Sequence, residues 1–382
     1  MRRTGLIHAL FVGTTGGFLI AAWLQRSFPL LMFAGSVLLA HIAFATGGRR
    51  QTLTVLSALA FAFGAADLVV GVLGPLKERT YYERSVQADP LERANPKTAS
   101  DLGYQPKPGT FRRQLKEVGS DAVLWDVTVT HSSDGFRATP NPMEHPHGIN
   151  LFGGSFAYGT GLNDDETLAY FLQNETGLGV RNYGVFGYGL HQALAIMQRS
   201  DSPTGTINVV LTLPFHATRS ACTSTWSAGS PRFELVDGEL ARNGTCETLL
   251  PPPLGEVIDH SNIVRLVRHH TANRGTIGLD ELELHFALVE AMNDLSRKRS
   301  QALVIAHIDA EPGTLPKDVT NDDVRAAFAK RSDLVVDVSL LDDTGKLANR
   351  FMVHPLDGHP SAEANHVRAQ LILEAMAREG LL

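Results

Sequence analysis

Ser155 stands in the run INLFGGSFAYGTGLNDDET, between an apolar stretch with strand character and a glycine-rich entry to a helix. Gly153 and Gly154 permit a sharp backbone turn in front of it, and a helix starting there would direct amide dipoles at charge developing near the hydroxyl. Some two hundred positions later, FMVHPLDGHPSAEANHVRAQLILEAM places Asp357 and His359 on a loop just ahead of a terminal helical pattern. A serine hydroxyl is a poor nucleophile until a base removes its proton, and a carboxylate beside that base holds the productive tautomer and stabilises the imidazolium. Ser155, His359 and Asp357 supply these roles, which predicts acyl transfer through an acyl-serine. His354 is a nearby competitor for the base, but it precedes Pro355.

The elements that must bring these segments together are legible from Gly148 onward. Strand INLFGG, helix ETLAYFLQNET, strand GVRNYGV, helix GLHQALAIMQR and strand INVVLTL follow one another. After an insertion over 214–273 come helix LDELELHFALVEAMNDLSRKR, strand ALVIAHI, helix DDVRAAFAKR, strand LVVDVS and a helix from Ala362 to Arg378. Alternation of this kind predicts βαβ units on a parallel sheet, hence an α/β fold built as a three-layer α/β/α sandwich. In such sheets ligands bind at the carboxyl ends of the strands, where Ser155 falls. The core spans 124–382, with an accessory β element over 124–147 that turns at Asp134-Gly135.

GGSFAYGTG together with DGHP resembles the first and last blocks of the SGNH/GDSL hydrolase family. That family also carries an Asn five residues before a Gly after its second core strand, and NYGVFG offers Asn182 and Gly187 at that spacing. The resemblance implies that Gly187 donates its amide to the oxyanion together with the amide of Ser155. Three features depart from the pattern. Gly154 stands where the residue before the nucleophile is usually Asp. The final block is DGH rather than DxxH, closer to the DxH of alginate O-acetyltransferase-like members. Where the family has an oxyanion-binding Asn, this chain has LTLPFHATRS, and His216 and Arg219 are the substitute donors just beyond a core strand.

The first 76 residues are different in kind, nearly all apolar or small. Gly5 to Leu24, Phe28 to Thr46 and Thr52 to Leu73 are each long enough to cross a hydrocarbon core of about 30 Å, which predicts an anchor of three transmembrane helices. Arg2, Arg3, Arg49 and Arg50 against a lone Arg26 place the N-terminus in the cytoplasm and the large domain outside the cytoplasmic membrane. A charged, Pro-containing stretch over 77–123 reads as a juxtamembrane linker. Asp67 in the third span is expected to be protonated or to hydrogen-bond between helices near the outer surface, and His8 and His41 to pack or hydrogen-bond between helices.

Cys222 and Cys246 flank a hairpin pattern around Asp237-Gly238, and in an oxidising space a disulfide between them is expected. Two cysteines without a CxxC or paired-His spacing do not make a zinc pattern, Asp164, Asp165 and Glu166 read as a helix cap, and no metal or cofactor is expected. A net charge of −6 without a dense basic block excludes an electrostatic footprint for nucleic acid.

The leading expectation is ester hydrolysis on an ester or acylated glycan outside the membrane. The same residues serve an O-acyltransferase, which with so few spans would need a separate acyl-donor protein. A catalytically silent envelope-binding protein is the reading from a different class, since fold alone does not establish activity.

Overall fold

The computed structural model describes residues 11–17, 19, 28–46, 50–73, 81–85, 91–93, 102–117, 122–142, 148–199, 207–246, 261–264 and 276–382. The chain divides into two compact units, residues 1–80 with 248–275 and residues 81–247 with 276–382.

The first unit contains α1 (Phe28–Thr46) and α2 (Arg50–Leu73), packed together, with the Ser57 hydroxyl donating to the Ser36 carbonyl at 2.8 Å. Within α2, Gln51–Val70 is long and apolar enough to cross a membrane; the apolar part of α1, Phe28–Ala43, is shorter. The first expected span lies largely outside the described residues, although 11–17 are helical and Phe11 meets the His41 ring edge-on at 4.9 Å.

Asp67 is fully buried. Its carboxylate accepts from the Ser261 hydroxyl at 2.5 Å, the Ile263 amide at 2.9 Å and the Asn262 side chain at 3.2 Å. The partner is the start of a helical segment, residues 262–264, which belongs to the 214–273 insertion and not to another of the three expected spans. Residues 248–275 of that insertion fall in the first unit. The physical reason is that a buried carboxylate needs donors, and three converge here.

The second unit begins with β1 (Tyr81–Ser85), β2 (Leu91–Arg93), β3 (Tyr104–Pro106), β4 (Gly109–Glu117) and β5 (Val123–His131). It continues through β6 (Gly148–Gly153), α3 (Ser155–Tyr158), α4 (Leu168–Thr176), β7 (Gly179–Asn182), α5 (Leu190–Gln198), β8 (Ile207–Thr212) and α6 (His216–Ser220). After β9 (Pro231–Val236) and β10 (Glu239–Thr245) come α7 (Leu279–Lys298), β11 (Ala302–His307), α8 (Asn321–Ala329), β12 (Leu334–Asp337), β13 (Met352–His354), β14 (Asp357–Pro360) and α9 (Ala362–Arg378).

The expected sandwich is present in this unit. Five strands in the order β12-β11-β8-β6-β7 form a parallel sheet. Strands β6 and β8 are buried throughout, as mostly apolar parallel strands covered on both faces are, and the one asparagine in each, Asn150 and Asn208, hydrogen-bond each other at 2.9 Å. One face packs α4 and α9 through Leu168, Leu172, Ile372 and Met376. The other packs α5, α7 and α8 through Leu194, Leu288, Met292 and Phe328.

The stretch 77–123, expected as a linker, contains β1 to β4, and β1, β4 and β5 form an antiparallel sheet. Phe111 and Leu115 of β4 pack on Leu124, Trp125, Val127 and Val129 of β5, while Arg112 and Gln114 bind Asp126 on the exposed face. Two apolar positions in β4 are too few to declare a strand until the partner strand covers them. Beyond β5 the chain turns at Asp134-Gly135, and Arg137 alone bridges both His131 and Asn182, joining this sheet to the β7 edge.

The Asp237-Gly238 hairpin forms with both residues at positive φ (51° and 84°), and Cys222 and Cys246 are disulfide-bonded.

Candidate active site

Ser155 opens α3 directly after β6, at the carboxyl end of the sheet, and is 8% exposed. Helix α3 is a single turn, closed by Gly159 in the left-handed conformation. The expected helix dipole is thus not there, because dipoles must align over several turns to sum; what the turn offers is individual amides. Fully buried Arg137 holds the loop after the turn, donating to the carbonyls of Gly159 at 3.0 Å and Leu162 at 2.7 Å and to the Asp164 carboxylate at 3.1 Å. The acidic run over 164–166 is therefore structural. Asp164 anchors Arg137, and Glu166 caps the Asn163 amide.

Asp357 and His359 lie on β14, paired with β13 immediately before α9. The Asp357 carboxylate accepts from His359 Nδ1 at 2.5 Å, from the His359 amide at 3.2 Å and from the Trp125 indole N–H at 2.6 Å. Burial pushes this carboxyl up, but the hydrogen bond and charge of His359 and the bond from Trp125 outweigh it and hold it below the usual range. The competing His354 uses Nδ1 to accept the Leu356 amide and takes no part in this pairing. The His359 ring meets Phe156 edge-on at 5.6 Å, which sets the imidazole beside the residue following Ser155. Among the described residues no hydrogen bond joins the Ser155 hydroxyl to His359.

Gly187 has φ 83°, and a Cβ there would lie 2.3 Å from the Tyr104 hydroxyl and 2.5 Å from the Trp226 ring, so only glycine fits. The loop carrying it is tied to the nucleophile's strand, with Tyr183 donating to Leu151 and Val185 to Gly153. Asn182 is buried beneath it, donating to the Ala157 carbonyl at 2.8 Å and accepting the Gly184 amide at 2.9 Å. It fixes the loop against α3, and both ends of its amide are used in doing so.

Gly154 has a different reason to be glycine. A Cβ there would come within 2.8 Å of His216 Nε2 and 2.9 Å of an Arg219 guanidinium nitrogen. The space that an aspartate would fill is taken by the His216 and Arg219 side chains. His216 is buried and its Nε2 has no hydrogen-bond partner among the described residues; burial foremost, with nearby Arg219, holds the imidazole neutral. Arg219 lies over the Phe215 ring, donates to the Tyr188 carbonyl at 3.0 Å and pairs with no carboxylate, and burial pushes its guanidinium down to about 10.

The structure thus gathers Ser155, Gly187, His216 and Arg219 around one turn, with Asp357 and His359 adjoining it through Phe156. Trp125 is the member that sequence reading missed; its only signal is an aromatic in a polar, alternating strand. A groove of about 530 Å³ at the β7 edge, lined by Asp134, Arg137 and Tyr183 among others, includes none of Ser155, Asp357 and His359.

The fold and site define an α/β/α protein with a serine at the carboxyl end of a parallel sheet and an aspartate-oriented histidine beside it. No protein-family model matches the chain, and no curated protein does. Among solved structures it is similar to a protein from Desulfitobacterium hafniense DCB-2 assigned to the lipolytic G-D-S-L family. That match has TM-score 0.34 and 11% identity over 61% of this chain and 98% of the other. It is also similar to a carbohydrate esterase family 2 enzyme with a carbohydrate-binding domain from Corynascus thermopiles (Myceliophthora fergusii), at TM-score 0.36 and 11% identity over 65% and 70%. A family two carbohydrate esterase from Cellvibrio japonicus matches at TM-score 0.31 and 9% identity over 79% and 98%. The likeness is faint, and what the site can do is read from its own side chains.

Proposed function

We propose that this chain is a serine esterase of the SGNH type, held at the cytoplasmic membrane with its larger unit on the outer side. The observation that carries this reading is the Asp357 carboxylate, shared between Trp125 and His359 Nδ1, with the His359 ring beside the Ser155 turn. With Nδ1–H fixed on Asp357, Nε2 is left free to take the Ser155 proton as the hydroxyl attacks an ester carbonyl. The negative oxygen that develops would accept from the amides of Ser155 and Gly187 and from His216 or Arg219. His359 then returns the proton to the leaving alcohol, and water, activated by the same imidazole, releases the acid from the acyl-serine. The Cys222–Cys246 disulfide supports an oxidising location for this unit, and the apolar α2 supports attachment to the membrane.

A fluorophosphonate probe tests the reading on the full chain in membranes. Labelling of the wild type that disappears in S155A is expected; equal labelling of both, or none, would reject it in favour of a binding protein. Acetate release from p-nitrophenyl acetate, compared with acetyl transfer to an added glycan, then separates hydrolysis from O-acyl transfer.

A further inference from the structure

Behind the serine turn lie two buried polar groups to which the mechanism gives no role, Thr212 and His285, in a row with His216. Thr212 ends β8, next to the strand carrying Ser155, and its hydroxyl reaches His285 Nε2 on α7 at 3.1 Å and His216 Nδ1 on α6 at 3.5 Å. All three side chains are at most 1% exposed. Among the described residues His216 Nε2 and His285 Nδ1 have no hydrogen-bond partner. The unpartnered Nε2 faces the backbone in front of the nucleophile, since a Cβ on Gly154 would lie 2.8 Å from it.

A threonine hydroxyl has one proton and two lone pairs, and the row His285–Thr212–His216 has two arrangements in which that proton is used within the row. In one, Thr212 donates to His285 and His216 donates to Thr212; this leaves a buried N–H on His285 Nδ1 with nothing to bond, and a lone pair facing the serine turn. In the other, His285 Nε2–H donates to Thr212 and Thr212 donates to His216 Nδ1. Both imidazoles then carry Nε2–H, the tautomer neutral histidine ordinarily favours, and the only orphan donor points at Ser155's turn. Buried orphan N–H groups are rare, which selects the arrangement whose orphan has a use.

We propose that Thr212 and His285 lock His216 in its Nε2–H tautomer, so that His216 supplies the third, neutral donor to the oxyanion. The proposal rests on reading Ser155 as the nucleophile and selects His216 over Arg219 for the oxyanion. His216 touches the reacting oxygen, whereas Thr212 and His285 are positioning residues acting through it. A neutral donor already desolvated needs no reorganisation when charge develops.

The test combines kinetics on p-nitrophenyl acetate with a measurement that needs no turnover, both on the full-length chain in detergent micelles. H216L should lower kcat roughly 100- to 1,000-fold with little change in KM, the usual loss for one oxyanion donor. H216Q, which keeps an N–H near the Nε2 position, should recover most of that rate. T212V should lower kcat about tenfold, as for the loss of one hydrogen bond worth about 1.4 kcal/mol, and T212S should restore most of it. In the H216Q background T212V should cost nothing further, because an amide has no tautomer to lock; an equal cost in both backgrounds would reduce Thr212 to packing and overturn the lock. Nitrogen-15 shifts of labelled histidine should show His216 as Nε2–H in the wild type and mixed in T212V, and a wild-type Nδ1–H tautomer overturns the proposal. Failure of the esterase reading would look different: no S155-dependent turnover, with the His216 tautomer still read from its shifts.

Discussion

The Trp125 indole N–H donates to Asp357 at 2.6 Å, linking a strand of the accessory sheet to the hairpin that carries His359. Two segments more than two hundred positions apart thereby orient one carboxylate from both sides. Val353 and Leu356 pack in the same cluster as Trp125, so the contact is set in an apolar environment that strengthens it.

Replacing Trp125 with Phe keeps the ring and removes the donor. A hydrogen bond to a buried charge is worth about 1.5–3 kcal/mol, so kcat should fall roughly 10- to 100-fold if the bond orients the Asp–His pair during turnover. With one donor gone the Asp357 carboxylate is less stabilised and its pKa rises, so the acid limb of the kcat profile should move to higher pH. An unchanged profile in W125F would show that Asp357 is held without the indole.

Gly154→Ala tests the crowding in front of the nucleophile. The new Cβ would sit 2.8 Å from His216 and 2.9 Å from Arg219, so both must retreat. A displacement near 1 Å at a reacting centre costs about 100-fold, and a loss of that order in kcat with preserved thermal stability is the expected result. Full activity in G154A would mean that neither side chain needs its present place.

Acid should destabilise the larger unit over a defined window. Burial, the largest cause in each case, pushes His191 and His285 down to about 3 and His131 and His307 down to about 4, from an ordinary value of 6.5. The unfolded chain takes up protons below 6.5 that the folded unit refuses, so stability is complete above 6.5 and falls as pH drops toward 4 and 3. Each histidine contributes about 1.4 kcal/mol per pH unit within that range, and chemical unfolding followed between pH 7 and pH 4.5 should show the midpoint falling steadily. A flat midpoint would contradict buried neutral histidines.

Asp67→Ala removes the acceptor for Ser261, Asn262 and Ile263 in the first unit. The segment over 261–264 should detach from α2, and trypsin should cut after Arg265 or Arg268 roughly tenfold faster than in the wild type. Equal cleavage of the two proteins would show that the segment is held by something other than the carboxylate.

Much of the core was legible because its signals are local. Mostly apolar strands such as INVVLT, the amphipathic 279–298 segment and the Asp237-Gly238 turn each depend on neighbours a few residues away, which a periodicity reading can see. The positions of Ser155, Asp357 and His359 relative to their strands and helices belong to the same kind of information. The β4 strand was not legible, since its apolar side is only Phe111 and Leu115 and its polar side acquires meaning from Asp126 across the pair.

The sequence by itself determined the element order, the serine turn and the segment bearing Asp357 and His359, because backbone preference and short-range patterning are written residue by residue. Tertiary structure alone decided that Trp125 holds Asp357, that His216 and Arg219 fill the space in front of Ser155, and that Ser261 reaches back to Asp67. These are long-range hydrogen bonds and close approaches between polar groups of mixed spacing. Their partners are chosen by where the packed layers bring them, and no local period in the chain encodes that choice.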